Sequence, residues 1–160
     1  MTPQQQTLLS KTAEFYHKTL SKYPEGLAWL KKQGITDQAL IEAFEVGYSV
    51  DFLKDAIPET GDIARDLQAL GIIIQDQSTG RNAERFRDCV VFPIFDEVGH
   101  IVQMCGFRIT ADKPTEPIYL PGCSAGVWNA PFLNGFFGRG SANKTLILTP
   151  SILDSARLWQ

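Results

Sequence analysis

Cysteine, histidine, long apolar runs and surplus positive charge are all scarce in this chain of 160 residues, and each shortage rules something out. The three cysteines, Cys89, Cys105 and Cys123, are scattered, odd in number and free of Cys-x-x-Cys spacing. They exclude a disulfide framework and point to a reducing, cytoplasmic setting. The two histidines, His17 and His100, join no cluster of ligating residues, so no metal site is expected within the chain. No apolar stretch approaches the ~20 residues that span a bilayer. Met1-Thr2-Pro3-Gln4-Gln5-Gln6 also lacks the basic and apolar regions of a signal peptide, so no membrane partner is expected. With 15 Lys and Arg against 18 Asp and Glu, the formal net charge is −3, which excludes a surface that coats nucleic acid indiscriminately. Any nucleic-acid contact must come from a local basic patch. No nucleophile–base pair and no glycine-rich phosphate loop is evident, which leaves a small-molecule enzyme without machinery.

What is present suffices for one packed domain. Apolar residues make up 44% and charged residues 21%, the balance of a globular chain with a real core. The first half reads as helical. Leu9, Ala13, Tyr16, Leu20 and Tyr23 recur at helical spacing, Leu8 and Phe15 widen the apolar face, and Pro24 and Gly26 break the helix. Residues 26–33 read as a second helix with Leu27, Leu30 and Trp29 inward, ending at Gly34. Thr36 caps a third helix reaching Phe44, with Leu40, Ile41 and Phe44 buried. Residues 47–50 lead out in extended form, 51–56 make a helical turn, Asp62 caps a helix reaching Leu70, and 72–75 are a buried strand. The polar loop 76–83 follows, with Arg81 read as a solvated loop residue.

Residues 84–109 carry the most information. Cys89 to Phe95 is a run of bulky residues, Asp96-Glu97-Val98-Gly99-His100 supplies turn chemistry, and His100 to Cys105 returns, which predicts a hairpin. Arg85, Arg87 and Arg108 fall at its open base. Under strand periodicity, Arg85 and Arg87 share a face, and three converging guanidiniums form a phosphate or nucleic-acid contact. The competing reading spends these arginines on salt bridges with Glu84, Asp88 and Asp96. Further on, Tyr119 and Trp128 are available either for base stacking or for burial.

The stretch Arg85-Phe86-Arg87…Val90…Phe92-Pro93-Ile94…Asp96…Gly99…Gly106 resembles a segment of the catalytic core of DnaG-type DNA primases, closest to the primase-like proteins of mobile elements. Residues 28–48, with Ala28, Leu30, Gly34, Ile35, Ile41, Phe44, Gly47 and Tyr48, resemble the entry segment of the same core. Leu67, Leu70, Gly71, Ile72 and Ile73 resemble the piece that follows. The chain departs from the pattern at several places. Cys89 stands where the replicative enzymes have arginine, and Phe107 stands at the closing arginine, so that Arg108 can replace it only if the strand end shifts. Ile118 and Cys123 stand at two lysines of the active-site surface, with Lys113 as a nearby substitute charge.

The resemblance extends to the C-terminus. Residues 145–149 read as a buried strand and Ser151 to Trp159 as the helix after it, similar to the opening of a Toprim domain. There a glutamate works beside Mg²⁺ ligands from later strands, because Mg²⁺ takes oxygen donors. Pro150 occupies that glutamate's place, at the expected first helical position. The chain ends inside the expected helix, which reads as an excised or truncated piece of a larger protein.

The expected architecture is α+β. A helical N-terminal half precedes one small mixed β-sheet with a central hairpin over about residues 72–130, followed by the first strand and helix of a Toprim unit. The expected division is a primase-core subdomain over 1–142 and the start of a truncated Toprim domain over 143–160. The resemblance implies contacts to a single-stranded DNA template or a DNA–RNA duplex during RNA primer synthesis, through Arg85, Arg87, Arg108, Lys113 and Tyr119. It implies no catalytic residue and no cofactor in this chain, with Mg²⁺ serving the complete parent protein. The alternative is a non-catalytic docking module for a replicative helicase or another replication partner.

Overall fold

The structure, a computed structural model, describes residues 1–110, 116–121, 127–131 and 147–160. Helix α1 (Pro3–Leu20) begins with a capping box: Thr2 Oγ1 accepts the Gln5 N–H at 3.2 Å, and Gln5 Oε1 accepts the Thr2 N–H at 3.0 Å. Its buried stripe is Leu9, Ala13, Tyr16 and Leu20, widened by Thr12 and Thr19. Each threonine returns its hydroxyl to the carbonyl four residues back, which satisfies a polar group on a packed face. Helix α2 (Pro24–Lys32) does not wait for Gly26. Pro24 opens it, because its fixed φ and missing N–H suit the first helical position. Leu30 and Gly26 face inward, while Leu27, expected inside, is exposed.

Helix α3 (Gln38–Ala43) is capped by Asp37 rather than Thr36, with Asp37 Oδ1 accepting the Ala39 N–H at 2.8 Å. Strand β1 (Gly47–Ser49) and the short helices α4 (Leu53–Ala56) and α5 (Asp62–Ala69) follow. Asp62 lies inside the first turn of α5 and Gly61 takes the capping position.

Two antiparallel sheets replace the single mixed sheet expected. Strands β2 (Ile73–Gln75) and β3 (Asn82–Glu84) form a two-stranded ribbon, so the polar loop ends earlier than its composition suggested. Strands β4 (Cys89–Phe95), β5 (Ile101–Arg108) and β6 (Ile118–Tyr119) join β1 in the order β1-β4-β5-β6. The helical half thus supplies a strand to the main sheet.

β4 explains its own sequence. It is buried on both faces, which is why its run is continuously apolar instead of alternating. Val90, Phe92 and Ile94 face a core shared with Leu30, Leu40 and Phe44, whereas Cys89 and Val91 face a second core with Leu9, Tyr16 and Phe86. Pro93 lies beyond the three residues that β1 covers, where β4 is an edge that tolerates a missing N–H.

The C-terminal helix α6 (Ile152–Trp159) packs Ile152 and Ala156 into the first core and sets Trp159 edge-on to Phe44. Arg157 Nε donates to the Gln33 carbonyl at 2.6 Å, and Gln160 Oε1 accepts the N–H groups of Thr36 and Asp37. The strand expected before it does not form over the described part. Residues 147–149 have no strand partner, and Ile147 and Leu148 are 64% and 83% exposed. An apolar run becomes a buried strand only where a sheet edge receives it, and none of the described strands lies alongside. Thr145, Leu146 and the expected boundary at 142–143 lie outside the described residues.

Candidate nucleic-acid interface

The base of the β4–β5 hairpin is a turn, not a strand end. Residues 85–88 link β3 to β4, closed by the Arg87 N–H on the Glu84 carbonyl at 3.2 Å and the Cys89 N–H on the Phe86 carbonyl at 2.9 Å. Asp88 takes a left-handed conformation with φ 56°, which turns the chain into β4. Strand periodicity therefore fails here, and Arg85 and Arg87 part company. Arg85 Nε donates to the Gly71 carbonyl at 2.7 Å, beside Pro121. Arg87 instead lines an open cleft of about 620 Å³ between α4, the α4–α5 connection and the β2–β3 ribbon. Its side chain is 53% exposed, and its partner is Asp88, with Nε to Oδ2 at 3.6 Å.

Arg108 stands at the end of β5 opposite Cys89. The β4–β5 register is unbroken from that pair to Ile94 and Gln103, and shifts only between Ile94 and Phe95. No strand-end shift carries Arg108 into the place of Phe107. Phe107 is buried against Trp29 and Phe92, and alternation turns Arg108 to the other face. Of the three arginines, only Arg87 lines the cleft. Lys113 lies outside the described residues.

Phe86 is the plug beneath this turn. It is fully buried, edge-on to Tyr16 at 6.5 Å. A Cβ on Gly106 would come within 2.5 Å of its ring, so glycine in β5 is what lets the ring sit there.

Glu84, weighed from the sequence as an arginine partner, points away from the arginines into the protein. It is 2% exposed. Its Oε2 accepts the hydroxyls of Tyr16 at 2.8 Å and Ser49 at 2.7 Å, and its Oε1 accepts the Leu53 N–H at 2.5 Å. Its own N–H is accepted by Asp51 Oδ1 at 3.1 Å, while Asp51 Oδ2 pairs with Lys54 at 2.5 Å. Burial raises the Glu84 carboxyl above its ordinary pKa, an effect that the bonds from Ser49, Tyr16 and Leu53 partly offset. Sequence reasoning missed this role, since the only local signal is an acid placed between a polar loop and a run of bulky residues. Asp96, the third acid considered, serves the hairpin tip.

The cleft carries both signs of charge. Asp51 neutralises Lys54, and Asp76 spends its carboxylate on Ser78 and Thr79, which holds its pKa below the usual range. Arg81 is exposed in the loop between β2 and β3, as expected, and lines the same cleft as Arg87.

Of the two aromatics, Tyr119 is 45% exposed on β6, paired with Cys105. Burial of its ring and its bond to the Cys105 thiol push its hydroxyl up to about 12. Trp128 is stacked on Phe44 at 4.3 Å and is committed to the core. Buried Gln103 anchors β6: its Oε1 accepts the Leu120 N–H at 2.9 Å and its Nε2 donates to the Leu120 carbonyl at 3.2 Å.

The Mg²⁺ implied for a complete parent protein finds no fitting donors at Pro150. Ser151 is the N-cap of α6, so Pro150 precedes the helix instead of opening it. Asp154 is spent on Ser151 Oγ at 2.7 Å and Arg157 at 2.8 Å. Among the described residues, no group of three or more His, Cys, Asp or Glu is placed to hold a metal ion, and no helix is long and apolar enough to cross a membrane.

Comparison with known proteins gives this geometry its context. The family described as the N-terminal domain of the DNA primase catalytic core matches residues 15–123. A DNA primase of Pseudomonas aeruginosa is 33% identical over 125 residues, covering 71% of this chain and 19% of that protein. A solved DNA primase domain from Pseudomonas aeruginosa superposes with a TM-score of 0.63 at 27% identity, covering 74% of this chain and 38% of the other. A DnaG primase catalytic domain bound to single-stranded DNA superposes with a TM-score of 0.61 at 25% identity, covering 75% and 39%. The chain spans about a fifth of the length of the curated relatives it matches.

Proposed function

This chain belongs to the family of DNA primase catalytic-core N-terminal domains, and on that premise we propose that it holds single-stranded DNA template, or the DNA–RNA duplex, for a nucleotidyl-transfer site completed by other parts of its protein. The observation that carries the reading is Arg87, half exposed on a braced turn and facing the cleft that exposed Arg81 also lines. A guanidinium so placed offers a planar fork to phosphate oxygens. The solved relative that is bound to single-stranded DNA supports the choice of ligand. Arg85 contributes by fixing the turn to Gly71, while Arg108 on β5 and Tyr119 on β6, turned to opposite faces of the sheet, stand outside the cleft. The chain itself supplies contacts and no catalysis.

Fluorescence anisotropy with a labelled oligo-dT at low and moderate salt tests this. Wild type should bind weakly and lose affinity as salt rises. Arg85→Ala/Arg87→Ala should bind more weakly, with the slope of log K against log salt reduced by about 0.7 for each phosphate contact removed. Equal binding by the two proteins would overturn the reading.

One observation favours a docking module for a helicase or other replication partner instead. Ile147, Leu148 and Leu158 expose apolar side chains around α6, and the net charge is negative. That reading gains if oligo-dT binding is absent at every salt concentration.

A further inference from the structure

Glu84 is the most deeply buried carboxylate of the hairpin base, and nothing in the proposed DNA contact uses it directly. Its surroundings are built from four elements: Tyr16 from α1, Ser49 from β1, Leu53 at the start of α4, and β3 itself. Three donors meet two carboxylate oxygens, so the side chain has one orientation that satisfies them all. The main chain is held as well, by the Asp51 carboxylate on the Glu84 N–H. On the other side, the Glu84 carbonyl accepts the Arg87 N–H that closes the turn. A rigid path therefore runs from helix α1 and strand β1, through one carboxylate, to the backbone of Arg87.

We propose that Glu84 is a positioning residue for nucleic-acid binding, fixing the turn that presents Arg87 to the cleft and holding α4, with Lys54, as the opposite wall. The proposal rests on the DNA-contact reading above. The physical reason is entropic. An exposed arginine on a free turn must be ordered when phosphate binds, whereas one on a pre-set turn loses only its side-chain rotamers. A carboxylate that accepts three hydrogen bonds supplies this order without facing the ligand. Tyr16 belongs to the same device: its hydroxyl serves Glu84 while its ring packs edge-on to Phe86 under the turn.

The test is a set of double-mutant cycles read by oligo-dT anisotropy at a temperature where circular dichroism shows every variant folded. Glu84→Gln keeps the shape and removes the charge. It should weaken binding about three-fold or more, and in the Arg87→Ala background it should cost almost nothing further. In the Arg81→Ala background its cost should remain whole, because Arg81 precedes β3 and the braced turn follows it, at the other end of that strand. Tyr16→Phe, which keeps the ring and deletes one donor, should show the same pattern more weakly, and it replaces Glu84→Gln if that variant does not fold. Amide hydrogen exchange gives a second readout, with protection falling at Leu53 and Arg87 and unchanged at Val98 and His100. Wild-type binding by Glu84→Gln, or equal penalties in the two arginine backgrounds, would overturn the proposal. Wild-type binding by Arg87→Ala would overturn the DNA-contact reading itself, and the loss of amide protection would then separate that failure from a failure of the brace.

Discussion

At its tip the β4–β5 hairpin is closed by bonds between near neighbours in sequence; at its base it is closed by bonds that reach across the domain. Asp96 Oδ1 accepts the N–H groups of Val98 at 3.0 Å and His100 at 2.8 Å, Gly99 supplies φ +91°, and Val98 is 76% exposed. Every one of those bonds spans at most four residues. Glu84 at the base bonds to Tyr16, Ser49 and Leu53, which lie 68, 35 and 31 residues away in sequence. The tip is a self-sufficient turn that costs little to alter. The base is a junction, and under the proposed reading the bonds that hold it also aim Arg87.

Three changes sharpen this contrast, from the largest effect to the smallest. Phe86→Ala removes the plug under the base. It should destabilise the protein by about 3–5 kcal/mol, the usual cost of emptying an aromatic site in a core, seen as a lower urea midpoint. A loss like that of a surface substitution would mean the base is no junction.

Glu84→Ala leaves three donors without their acceptor and should cost about 1–3 kcal/mol near neutral pH. Its pH dependence has a definite sign. Burial raises the folded-state pKa of Glu84 above the usual 4.5, so the folded chain holds that proton more tightly than the unfolded chain. The stability Glu84 contributes is then fullest below 4.5 and declines as pH rises through the raised value. The penalty of Glu84→Ala should accordingly be largest in acid and shrink as pH rises, which urea melts between about pH 4 and 8 would read. Asp96 at the tip behaves oppositely. The His100 N–H, the largest cause, lowers its pKa, so its contribution is present above the usual 3.8 and is lost as pH falls through the lowered value. Parallel trends for the two carboxylates would erase the distinction between base and tip.

Gly99→Ala asks the tip alone for a left-handed alanine. It should cost about 1 kcal/mol and leave oligo-dT binding unchanged. A change in binding would mean that the tip, too, reports to the interface.

Legibility follows the same division. The helical face of α1, the extended residues 47–49, the apolar run of β4 and the Asp96–His100 turn could all be read directly, because periodicity and turn chemistry are local. Helix starts slipped by a residue or two where a proline or a neighbouring acid made the better terminus, as at Pro24 and Asp37. The candidate site was found as a place but not as a geometry. Arg85 and Arg87, two apart, looked like partners on one strand face, and the turn that separates them arises from contacts to Gly71 and Ile72, which no local pattern announces.

Family membership was written in the order of the residues themselves, since Arg85-Phe86-Arg87 and the residues from Val90 to Gly106 keep a fixed register along the chain. The existence of the helices, the hairpin and its tip was likewise settled by the sequence, through spacing, glycine and the side chains next to them. Only the tertiary structure decided that Glu84 turns inward, that Arg87 alone of the three arginines meets the cleft, and that α6 docks through Arg157 and Gln160 onto the α2–α3 connection. The reason is physical. A backbone conformation is chosen within a few residues, but a long polar side chain goes where its hydrogen bonds can be satisfied, and those partners arrive from sequence-distant segments that only folding brings together.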